Sequence, residues 1–463
     1  MRVIIGLEIH CQLATESKLF CKDSTLPAEP NTNVCPICLG FPGYKPKVNK
    51  KAIDYGIMVA LALNCKINKS MFFSRKSYFY PDMPKNYQIT QYEIPLAIDG
   101  FLEVGDSKIR IKRIHLEEDP GKLVHVGGDI TSAKYVLVDY NRAGVPLLEI
   151  VTEPDFTSPK QVREFLEKLS SILEHLGVYD SSREASLRVD ANISLEGGER
   201  IEIKNISGFA DVEKALSYEI VRQKGLLRMN VKVERETRHY DAERKITKSL
   251  RKKEYEEDYG YIFDPDLPKI EITDSWIEQI KEKMPELPDE RVKRFVKVYS
   301  LPEIQARVLI YTDKYLADFF EECCKIYENP LEVSKWIITY LLKSLNWHHM
   351  SIRQSSIKPK EFVELLELID KGIITERYAK ELIKEYVDTG ISPKKIVEKK
   401  LIRLDDFQLE KIVEEVIREN SEAVEDFKRG ETKAIEFLIG RVLIKTNKQA
   451  DPKRIREILL KKI

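Results

Sequence analysis

Hydrophobic and polar positions alternate in short runs along the first half of the chain. The run RVIIGLEIHCQL (2–13) alternates imperfectly and predicts a β-strand. From Ala185 to Leu195 the alternation is regular, with apolar residues at the odd positions. Polar residues occupy the even positions of that run, among them Arg188, Asp190 and Asn192. The second pattern is typical of a half-buried strand in a mixed or antiparallel sheet.

Other segments have the 3.6-residue apolar period of amphipathic helices. One helix is predicted from Lys50 to Leu63 and another from Asp211 to Leu227. Between them, Ser158 is an N-cap residue followed by Pro159 at the first helical position. That helix is predicted to end before Gly177, a residue suited to the left-handed conformation after a helix.

Glycine divides the chain into two regions. Sixteen of the 20 glycines lie in residues 1–260, and none lies between Gly260 and Gly372. The first region therefore predicts strands and turns, and the last ~195 residues predict helices. The fold class is α+β, with boundaries at the proline-rich stretch 263–270 and the polar segment 351–360. The predicted domains are 1–268, mixed α/β, then 269–352 and 353–463, both helical.

Composition and charge narrow the class of protein. Lys plus Arg number 76 and Asp plus Glu number 76, which argues against a polybasic-tail protein. We find no apolar run of about 18 residues, so no transmembrane helix is predicted. Glu8 and His10 interrupt the first apolar stretch, which argues against a signal peptide. With seven cysteines and no secretory signal, we expect a cytoplasmic protein with reduced thiols or a metal site.

The balanced total charge conceals two basic segments. Residues 222–254 contain 12 Lys or Arg against five acids, and residues 441–463 contain eight against Asp451 and Glu457. Segments of this kind are often solvated surface. Two of them in a chain of zero net charge favour contacts with nucleic-acid phosphates.

Acidic residues and histidines recur at strand spacing. Glu8 and His10 are two residues apart, as are His115 and Glu117, so each pair points to one face of its strand. Glu149 lies inside the apolar run VPLLEIV, where an unpaired carboxylate is costly to bury. Carboxylates with a histidine on one sheet suit a hard cation such as Mg²⁺, which orients phosphates. Asp190 by itself fits a solvated polar sheet face with ion pairs better than a metal site.

The cysteines predict a second metal site. Cys35 and Cys38 form a CxxC turn, and Cys21 lies 14 residues upstream, a spacing compatible with a ribbon-like Zn²⁺ site near 21–38. The fourth ligand is open among Cys11, Asp23 and Cys65. The alternative is a loop of free thiols.

Several longer motifs follow one another in a specific order. They are GLEIHCQLATESKLFC (6–21), NTNVCPICLGFPG (31–43), FYPDMPKNYQITQYEIPL (79–96), HLEEDPGKLVH (115–125), DYNRAGVPLLEIVTEPD (139–155), SLRVDANISL (186–195), EIKNISG (202–208), ETR (236–238) and DYGYIFDPDLP (258–268). This set resembles the B-subunit family of aspartyl/glutamyl-tRNA amidotransferases over essentially the whole chain. The related E subunit carries an additional synthetase-like insert for which 463 residues leave no room.

The resemblance implies a fold, an activity and partners. The fold is an N-terminal cradle domain, a helical domain and a small YqeY-like helical tail that binds tRNA. The activity is ATP- and Mg²⁺-dependent phosphorylation of the side-chain carboxylate of misacylated Asp-tRNA(Asn) or Glu-tRNA(Gln). Ammonia released from glutamine by an amidase A subunit then displaces the phosphate, and a small C subunit completes a heterotrimer. The physiological product is left open between Asn-tRNA(Asn), Gln-tRNA(Gln) or both.

The resemblance also assigns residues. The implied Mg²⁺ ligands are Glu8, His10, Glu117 and Glu149, with Glu118 as the alternative to Glu117. Asp190 is implied as a further member of the shell or a contact through water. The remaining candidates, for contacts with phosphate or carboxylate groups or for ion pairs across the sheet, are Arg142, Arg188, Asn192 and Lys204.

The chain departs from the family pattern at two places. Zinc-containing relatives often have CxC where this chain has Cys21-Lys22-Asp23, so Asp23 or Cys11 replaces the missing thiolate or zinc is absent. Many relatives have DYRYF where this chain has Gly260, so no phosphate role of that arginine carries over. The competing hypotheses are a non-catalytic tRNA-binding scaffold for the amidase and a standalone zinc hydrolase.

Overall fold

The structure is a computed structural model that describes residues 1–463 except 128–132, 184–185, 207, 253–258, 401–405, 430–432, 447–449 and 451. Contacts between residues divide the chain into two units, Met1–Pro288 and Asp289–Ile463, and each is described by itself. Parts of the predicted features lie outside the described residues, namely Ala185, Ser207, Lys253, Glu254, Asp258, Lys448 and Asp451.

The strands belong to the first unit. In chain order they are β1 Val3–Gln12, β2 Lys66–Ile67, β3 Ser70–Met71, β4 Ser74–Ser77, β5 Tyr87–Thr90, β6 Ala97–Val104, β7 Ser107–Glu118, β8 Lys122–Val126, β9 Tyr135–Asp139, β10 Pro146–Thr152, β11 Leu187–Leu195, β12 Ile201–Ile206, β13 Glu236–Asp241, β14 Ile246–Lys252, β15 Ile262–Phe263 and β16 Ile270–Glu271.

One nine-stranded sheet organises this unit. Its strand order is β14-β13-β12-β11-β1-β10-β7-β6-β2. Neighbouring strands are antiparallel except β12 and β13, which run parallel. The two strands predicted from alternation, β1 and β11, are adjacent at the centre of the sheet.

The alternation in β1 separates a core face from a polar face. Ile5, Leu7 and Ile9 are buried in the main hydrophobic core. Glu8 and His10 point to the opposite face, as strand alternation requires. Apolar residues of the helices α1 Lys50–Ala62, α2 Pro159–His175 and α3 Phe209–Arg228 fill the same core. The functional side chains therefore stand on the other face of the sheet.

The predicted helices of the first unit are confirmed. The Ser158 hydroxyl accepts a hydrogen bond from the Gln161 N–H at 3.3 Å, which caps α2. Gly177 follows that helix with φ of +69°, the left-handed conformation for which glycine is suited. Helix α4, Asp274–Lys281, also belongs to this unit: Ile272 and Ile280 are buried in its core. Residues 269–288, predicted in the helical domain, pack here because their apolar side chains complete this core.

The second unit is helical in its described part. Its helices are α5 Pro288–Tyr299, α6 Glu303–Thr312, α7 Lys314–Cys324, α8 Pro330–Trp336, α9 Leu342–Trp347, α10 Pro359–Asp370, α11 Glu376–Thr389, α12 Pro393–Lys400, α13 Asp406–Glu419, α14 Ser421–Lys428, α15 Lys433–Lys445 and α16 Pro452–Lys462, with a π-helical turn at Ile337–Leu341 and a 3₁₀ turn at Ile352–Gln354.

Two hydrophobic cores lie within this unit. One is formed by residues between Val292 and Val397, and the other by residues between Leu409 and Leu459. The predicted linker 351–360 belongs to the first core, because Ile352 and Ile357 are buried in it. The predicted fold class, a mixed α/β domain followed by helices, is confirmed.

Candidate active site

Strand register brings distant acidic and histidine residues into one row. His10 on β1 is opposite Glu149 on β10, and Glu149 is opposite His115 on β7. The Glu149 Oε2 atom lies 3.6 Å from His10 Nε2 and 3.0 Å from His115 Nε2. The Glu149 carboxylate, which would be costly to bury alone in its apolar run, therefore lies between two imidazoles.

Glu117 completes this group from the end of β7. Its Oε1 is 3.8 Å from His10 Nε2, and its Oε2 accepts a hydrogen bond from the Thr90 hydroxyl at 3.2 Å. One ligand atom each of His10, Glu117 and Glu149 lies within 4.8 Å of the others. Glu118 is turned elsewhere, where it pairs with Lys85 and accepts a hydrogen bond from the Ile89 N–H at 2.8 Å. The geometry favours Glu117 over Glu118, in agreement with strand alternation.

The imidazoles and carboxylates of this row shift one another's protonation. Burial alone lowers the pKa of His10, but its hydrogen bond with Glu149 and the surrounding carboxylates raise it to about 9. Burial lowers the pKa of His115, but the attraction of Glu149 and the hydrogen bonds with Glu117 and Glu149 together raise it. Burial acts to raise the pKa of Glu149, and His115 and His10 hold it well below the usual range. The row is a set of anionic and cationic groups that a divalent cation can reorganise by displacing protons.

A second acidic group adjoins the first across β1. Glu8 is opposite Asp190 on β11, and carboxylate oxygens of Glu8, Asp190 and Glu202 lie within 4.8 Å of one another. Lys204 Nζ pairs with Asp190 Oδ2 at 2.9 Å and with Glu202 Oε1 at 3.3 Å. Asn192 Nδ2 donates to Glu8 Oε1 at 2.9 Å. The predicted ligand Glu8 thus belongs to this second group, with Asp190.

Electrostatics couples the two groups. Burial and repulsion from Glu149 raise the pKa of Glu8, and Lys204 opposes this effect. The pKa of Lys204 is well above its usual value, because Asp190 and Glu202 outweigh the effect of burial. Sequence reasoning missed Glu202. The signal was available, since Glu202 and Lys204 alternate on one strand within the quoted motif EIKNISG.

A cavity of about 520 Å³ opens beside these residues in the first unit. Its lining includes Glu8, His115, Glu117 and Glu149 together with Asn192 and Glu202. Basic side chains also line it, namely Lys76, Lys112, Arg113, Arg200, Lys204 and Arg235. A cavity lined by both carboxylates and basic side chains can bind a metal ion and a polyphosphate at the same time.

Two predicted phosphate contacts are engaged with the protein itself. Arg188 donates from Nη2 to Asp119 Oδ1 at 2.8 Å. The Arg142 guanidinium donates to the Pro120 and Gly121 carbonyls at 3.0 and 2.7 Å, and lies 3.7 Å from Asp119 Oδ2. Both arginines converge on a buried carboxylate, so in this structure they organise the strand end beyond β7. Asn192 and Lys204 also have protein partners, but unlike the two arginines they line the cavity.

The side chains fit a hard divalent cation by their chemistry. Mg²⁺ prefers oxygen ligands and commonly binds through one or two carboxylates plus phosphates, and Glu117 and Glu149 are two such carboxylates. His10, Glu117 and Glu149 provide such a set, and Glu8 with Asp190 and Glu202 provides an adjacent all-oxygen set. The residues needed to hold Mg²⁺ are therefore present on the cavity side of the sheet.

The cysteine motif forms a separate group in the loop after β1. Atoms of Cys21, Asp23, Cys35 and Cys38 lie within 4.8 Å of one another. The Cys38 thiol is 3.3 Å from Asp23 Oδ2, and the Cys21 thiol is 3.5 Å from the same oxygen. Three sulfurs and one carboxylate oxygen at these separations suit tetrahedral Zn²⁺. Among the three candidates for a fourth ligand, the structure brings only Asp23 to the group.

Cys11 lies apart from this group because its side chain points to the core side of β1. It is on the apolar face of β1, fully buried in the main core, and burial raises the pKa of its thiol. Its position does not agree with the predicted Zn²⁺ role of Cys11, and Asp23 is the candidate that lies with Cys21, Cys35 and Cys38. Cys65 is also apart, with its thiol directed to the Leu63 carbonyl at 3.7 Å.

Protonation in the cysteine group already favours one thiolate. The hydrogen bond from Cys21 and the charge of Lys18 lower the pKa of Cys38 to about 6, although burial opposes them. Lys18 Nζ lies 3.6 Å from the Cys38 sulfur and donates to the Asn33 carbonyl at 2.8 Å. Zinc binding requires thiolates, so a lowered pKa at Cys38 assists it.

The two basic segments carry many internal ion pairs. In the first segment, Arg222 and Arg238 both contact Glu219 and Glu236. In the second, Lys462 pairs with Glu414 at 2.7 Å, and similar pairs hold Lys445 and Arg456. The pairs of the second segment are largely exposed and contribute little stability, whereas Glu219 in the first segment is fully buried. The described residues contain no helix that combines the length and apolar character needed to cross a lipid bilayer.

Comparison with known proteins covers both units. Residues 3–278 match the GatB/GatE catalytic domain family, and residues 318–463 match the family described as the GatB domain. The chain is similar to the B subunit of the aspartyl/glutamyl-tRNA(Asn/Gln) amidotransferase of Saccharolobus solfataricus, with 48% identity over 470 residues, covering 100% of this chain and 99% of that protein. It is 49% identical to the protein of the same name from Sulfurisphaera tokodaii, covering 99% of each. Identity to the Thermotoga maritima protein of that name is 47%, covering 99% of this chain and 98% of that protein.

Proposed function

The chain belongs to the B-subunit family of aspartyl/glutamyl-tRNA(Asn/Gln) amidotransferases, and from that premise we propose that it activates a carboxylate of misacylated tRNA with ATP. The substrate is the aminoacyl side chain of Asp-tRNA(Asn) or Glu-tRNA(Gln). Ammonia then converts the activated group to the amide. The assembled enzyme is a ligase that forms a carbon–nitrogen bond with glutamine as the amido donor.

The chemistry explains why ATP is needed. A carboxylate is a poor acyl donor, because its leaving group would be an oxide. Transfer of the γ-phosphoryl group to a carboxylate oxygen forms an acyl phosphate and releases ADP. Phosphoryl transfer of this kind depends on positioning and on charge stabilisation, which preorganised groups of a protein supply.

One observation carries the proposal: His10, Glu117 and Glu149 converge within 4.8 Å beside a cavity with basic side chains in its lining. These residues are the proposed Mg²⁺ ligands, with Glu8 and Asp190 in the adjacent group. When bound, Mg²⁺ neutralises charge on phosphate oxygens and aligns them.

Side chains of the cavity lining are available to bind those phosphate oxygens that a metal ion does not contact. Lys204 is positioned on the cavity wall by Asp190 and Glu202, at 2.9 and 3.3 Å. Asn192 is oriented by Glu8. We assign phosphate binding to Lys204 and Asn192 with neighbouring basic residues of the lining, and a positioning role at Asp119 to Arg142 and Arg188.

Partners and the remaining groups complete the proposal. An amidase A subunit supplies ammonia, and a small C subunit joins the heterotrimer. Cys21, Asp23, Cys35 and Cys38 hold a structural Zn²⁺, which fixes the loop after β1. The C-terminal tail binds tRNA. Support for this role comes from its basic end at 441–463 and from its separate core between Leu409 and Leu459.

A non-catalytic tRNA scaffold is the competing function. A scaffold has no need for buried carboxylates and imidazoles gathered from β1, β7 and β10. Such a group costs free energy unless charges are paired or a cation is bound. Its convergence favours the enzyme over the scaffold. The standalone zinc hydrolase is disfavoured, because a site with three cysteines is usually closed and structural.

The Glu149→Gln substitution tests this function. We expect the assembled enzyme to lose at least about 10²-fold in ATP- and ammonia-dependent amide formation, because Glu149 is shared by the ligand set and both imidazoles. The assay measures Asn-tRNA and Gln-tRNA formed from both misacylated tRNAs, with and without the partner subunits.

The matched control is Glu103→Gln, an exposed carboxylate on β6. It should keep wild-type activity, and thermal unfolding of both variants reports on folding. Glutaminase activity of the amidase partner should persist with Glu149→Gln. Undiminished amide formation by that variant would overturn the catalytic assignment and favour the scaffold.

A further inference from the structure

Gln91 is a buried polar residue of the cavity lining that the proposed phosphate and metal contacts do not use. It follows β5 and is 1% exposed. Its side-chain Oε1 accepts a hydrogen bond from the Leu116 N–H at 2.9 Å. The pairing of β7 with β6 ends at Ile114, and β7 continues beyond it. The Leu116 N–H therefore has no acceptor on β6 and needs another one.

This hydrogen bond fixes the orientation of the amide. A backbone N–H can only donate, so the Gln91 atom facing it must be the oxygen. The nitrogen Nε2 is therefore directed away from Leu116. Among the residues that the structure describes, none accepts a hydrogen bond from that buried nitrogen. Leaving a buried donor unsatisfied costs about 1–3 kcal/mol, so an acceptor oxygen of a ligand is the expected partner.

The location of Gln91 restricts that ligand. Leu116, whose N–H donates to the amide, lies between His115 and Glu117 on β7, so the amide stands beside the proposed metal ligand Glu117. A donor N–H cannot bind a cation, and the cavity already has several basic side chains for phosphate oxygens. A neutral, fixed donor next to those groups suits an acyl oxygen whose negative charge develops only during reaction.

We propose that Gln91 Nε2 donates to the acyl oxygen of the aminoacyl side chain and stabilises it during attack by ammonia; this inference rests on the proposed function. The ammonia lone pair forms a C–N bond to the acyl phosphate carbon, and the C=O π pair moves to the acyl oxygen. The oxyanion then re-forms C=O and expels phosphate with the C–O bonding pair. One proton passes from nitrogen to the phosphate, which leaves the amide and hydrogen phosphate. Gln91 is a catalytic residue of this second step.

The test substitutes Gln91 in the complete heterotrimer. Gln91→Glu keeps an oxygen for the Leu116 N–H and removes the donor, whereas Gln91→Met removes both without adding charge. Loss of one such donor lowers the turnover by about 10²–10³-fold. We expect that decrease in the ammonia step of both variants. The first-turnover burst of ADP and the KM for ATP should remain at wild-type values.

The control is Gln88→Glu on β5, whose amide already donates to the Glu118 carbonyl at 2.8 Å. It should lower the Tm and keep the wild-type ratio of amide to ADP. An increased KM for ATP in the Gln91 variants would assign Nε2 to a phosphate oxygen instead, and wild-type kinetics would assign it to a bound water. Either result overturns the proposal. Failure of the proposed function would be recognised by a different result, because the wild-type enzyme itself would then form no amide from ATP and ammonia.

Discussion

Glu149 illustrates what a single residue reveals before its neighbours are known. A carboxylate in the run VPLLEIV is costly to bury alone, which identified it as a functional candidate. Its two imidazole partners could not be derived from that run, because His10 and His115 are joined to it by strand register between distant segments. Gln91 gave no such signal, since an amide is neutral and its importance lies in one unpartnered atom.

The cysteine group leads to a prediction about zinc binding in single-residue variants. We expect one Zn²⁺ per chain, lost in Cys35→Ser and retained in Cys11→Ser. The reason is position: Cys35 belongs to the group with Asp23, whereas Cys11 lies in the apolar core. Metal analysis of the purified variants measures the stoichiometry, and Tm with and without chelator measures the contribution to stability.

Asp23→Ala should weaken zinc retention as well, because it removes the fourth ligand. Zinc loss in folded Cys11→Ser, or a zinc-free wild-type chain, would contradict this assignment. Sequence alone left three candidates, since the CxxC turn fixes two ligands and a loop brings the others through tertiary contacts.

At the scale of elements, local patterns predicted strands and helices well where one face is buried. β1 and β11 follow their alternation, and α2 begins and ends at its capping residues. The segment 351–360 looks polar and linker-like, yet Ile352 and Ile357 are buried in a helical core. Two apolar side chains in a polar run do not form a periodic pattern, so their burial depends on contacts that the local sequence does not contain.

Ion pairs between helices α5 and α7 lead to a prediction about the pH dependence of stability. Glu321 accepts hydrogen bonds from Arg291 at 2.6 Å and Arg294 at 2.5 Å. Burial acts to raise the pKa of Glu321, but these arginines lower it overall. Its contribution to stability is therefore present above the unfolded pKa near 4.5 and is lost as the pH falls through the lower folded value.

Glu321→Gln should destabilise these helices by about 1–3 kcal/mol at neutral pH, and by progressively less below about pH 4.5. Hydrogen exchange of peptides from α5 and α7 measures the change. The neighbouring Glu322→Gln, which removes an exposed pair with Lys325, should cost no more than about 1 kcal/mol. Equal losses in both variants, or a Glu321 effect that is constant with pH, would refute the role of these arginines.

At the scale of the molecule, the glycine distribution separated a sheet-rich region from a helical one, and two units are observed. Their limit at Pro288 lies beyond the predicted stretch 263–270, because residues after it complete the first core. The equal numbers of acids and bases conceal the arrangement of the cavity, where carboxylates and basic side chains line one space. Such an arrangement is a property of the folded sheet, and total charge does not report it.

The central claim is that the chain transfers a phosphoryl group to the side-chain carboxylate. The most direct measurement uses Glu-tRNA(Gln) or Asp-tRNA(Asn) labelled with ¹⁸O in that carboxylate, with ATP, Mg²⁺ and ammonia. The bridging oxygen of an acyl phosphate leaves with phosphate, so we predict one ¹⁸O in the inorganic phosphate for each amide formed. Unlabelled phosphate, or amide formation without ATP, would contradict the account.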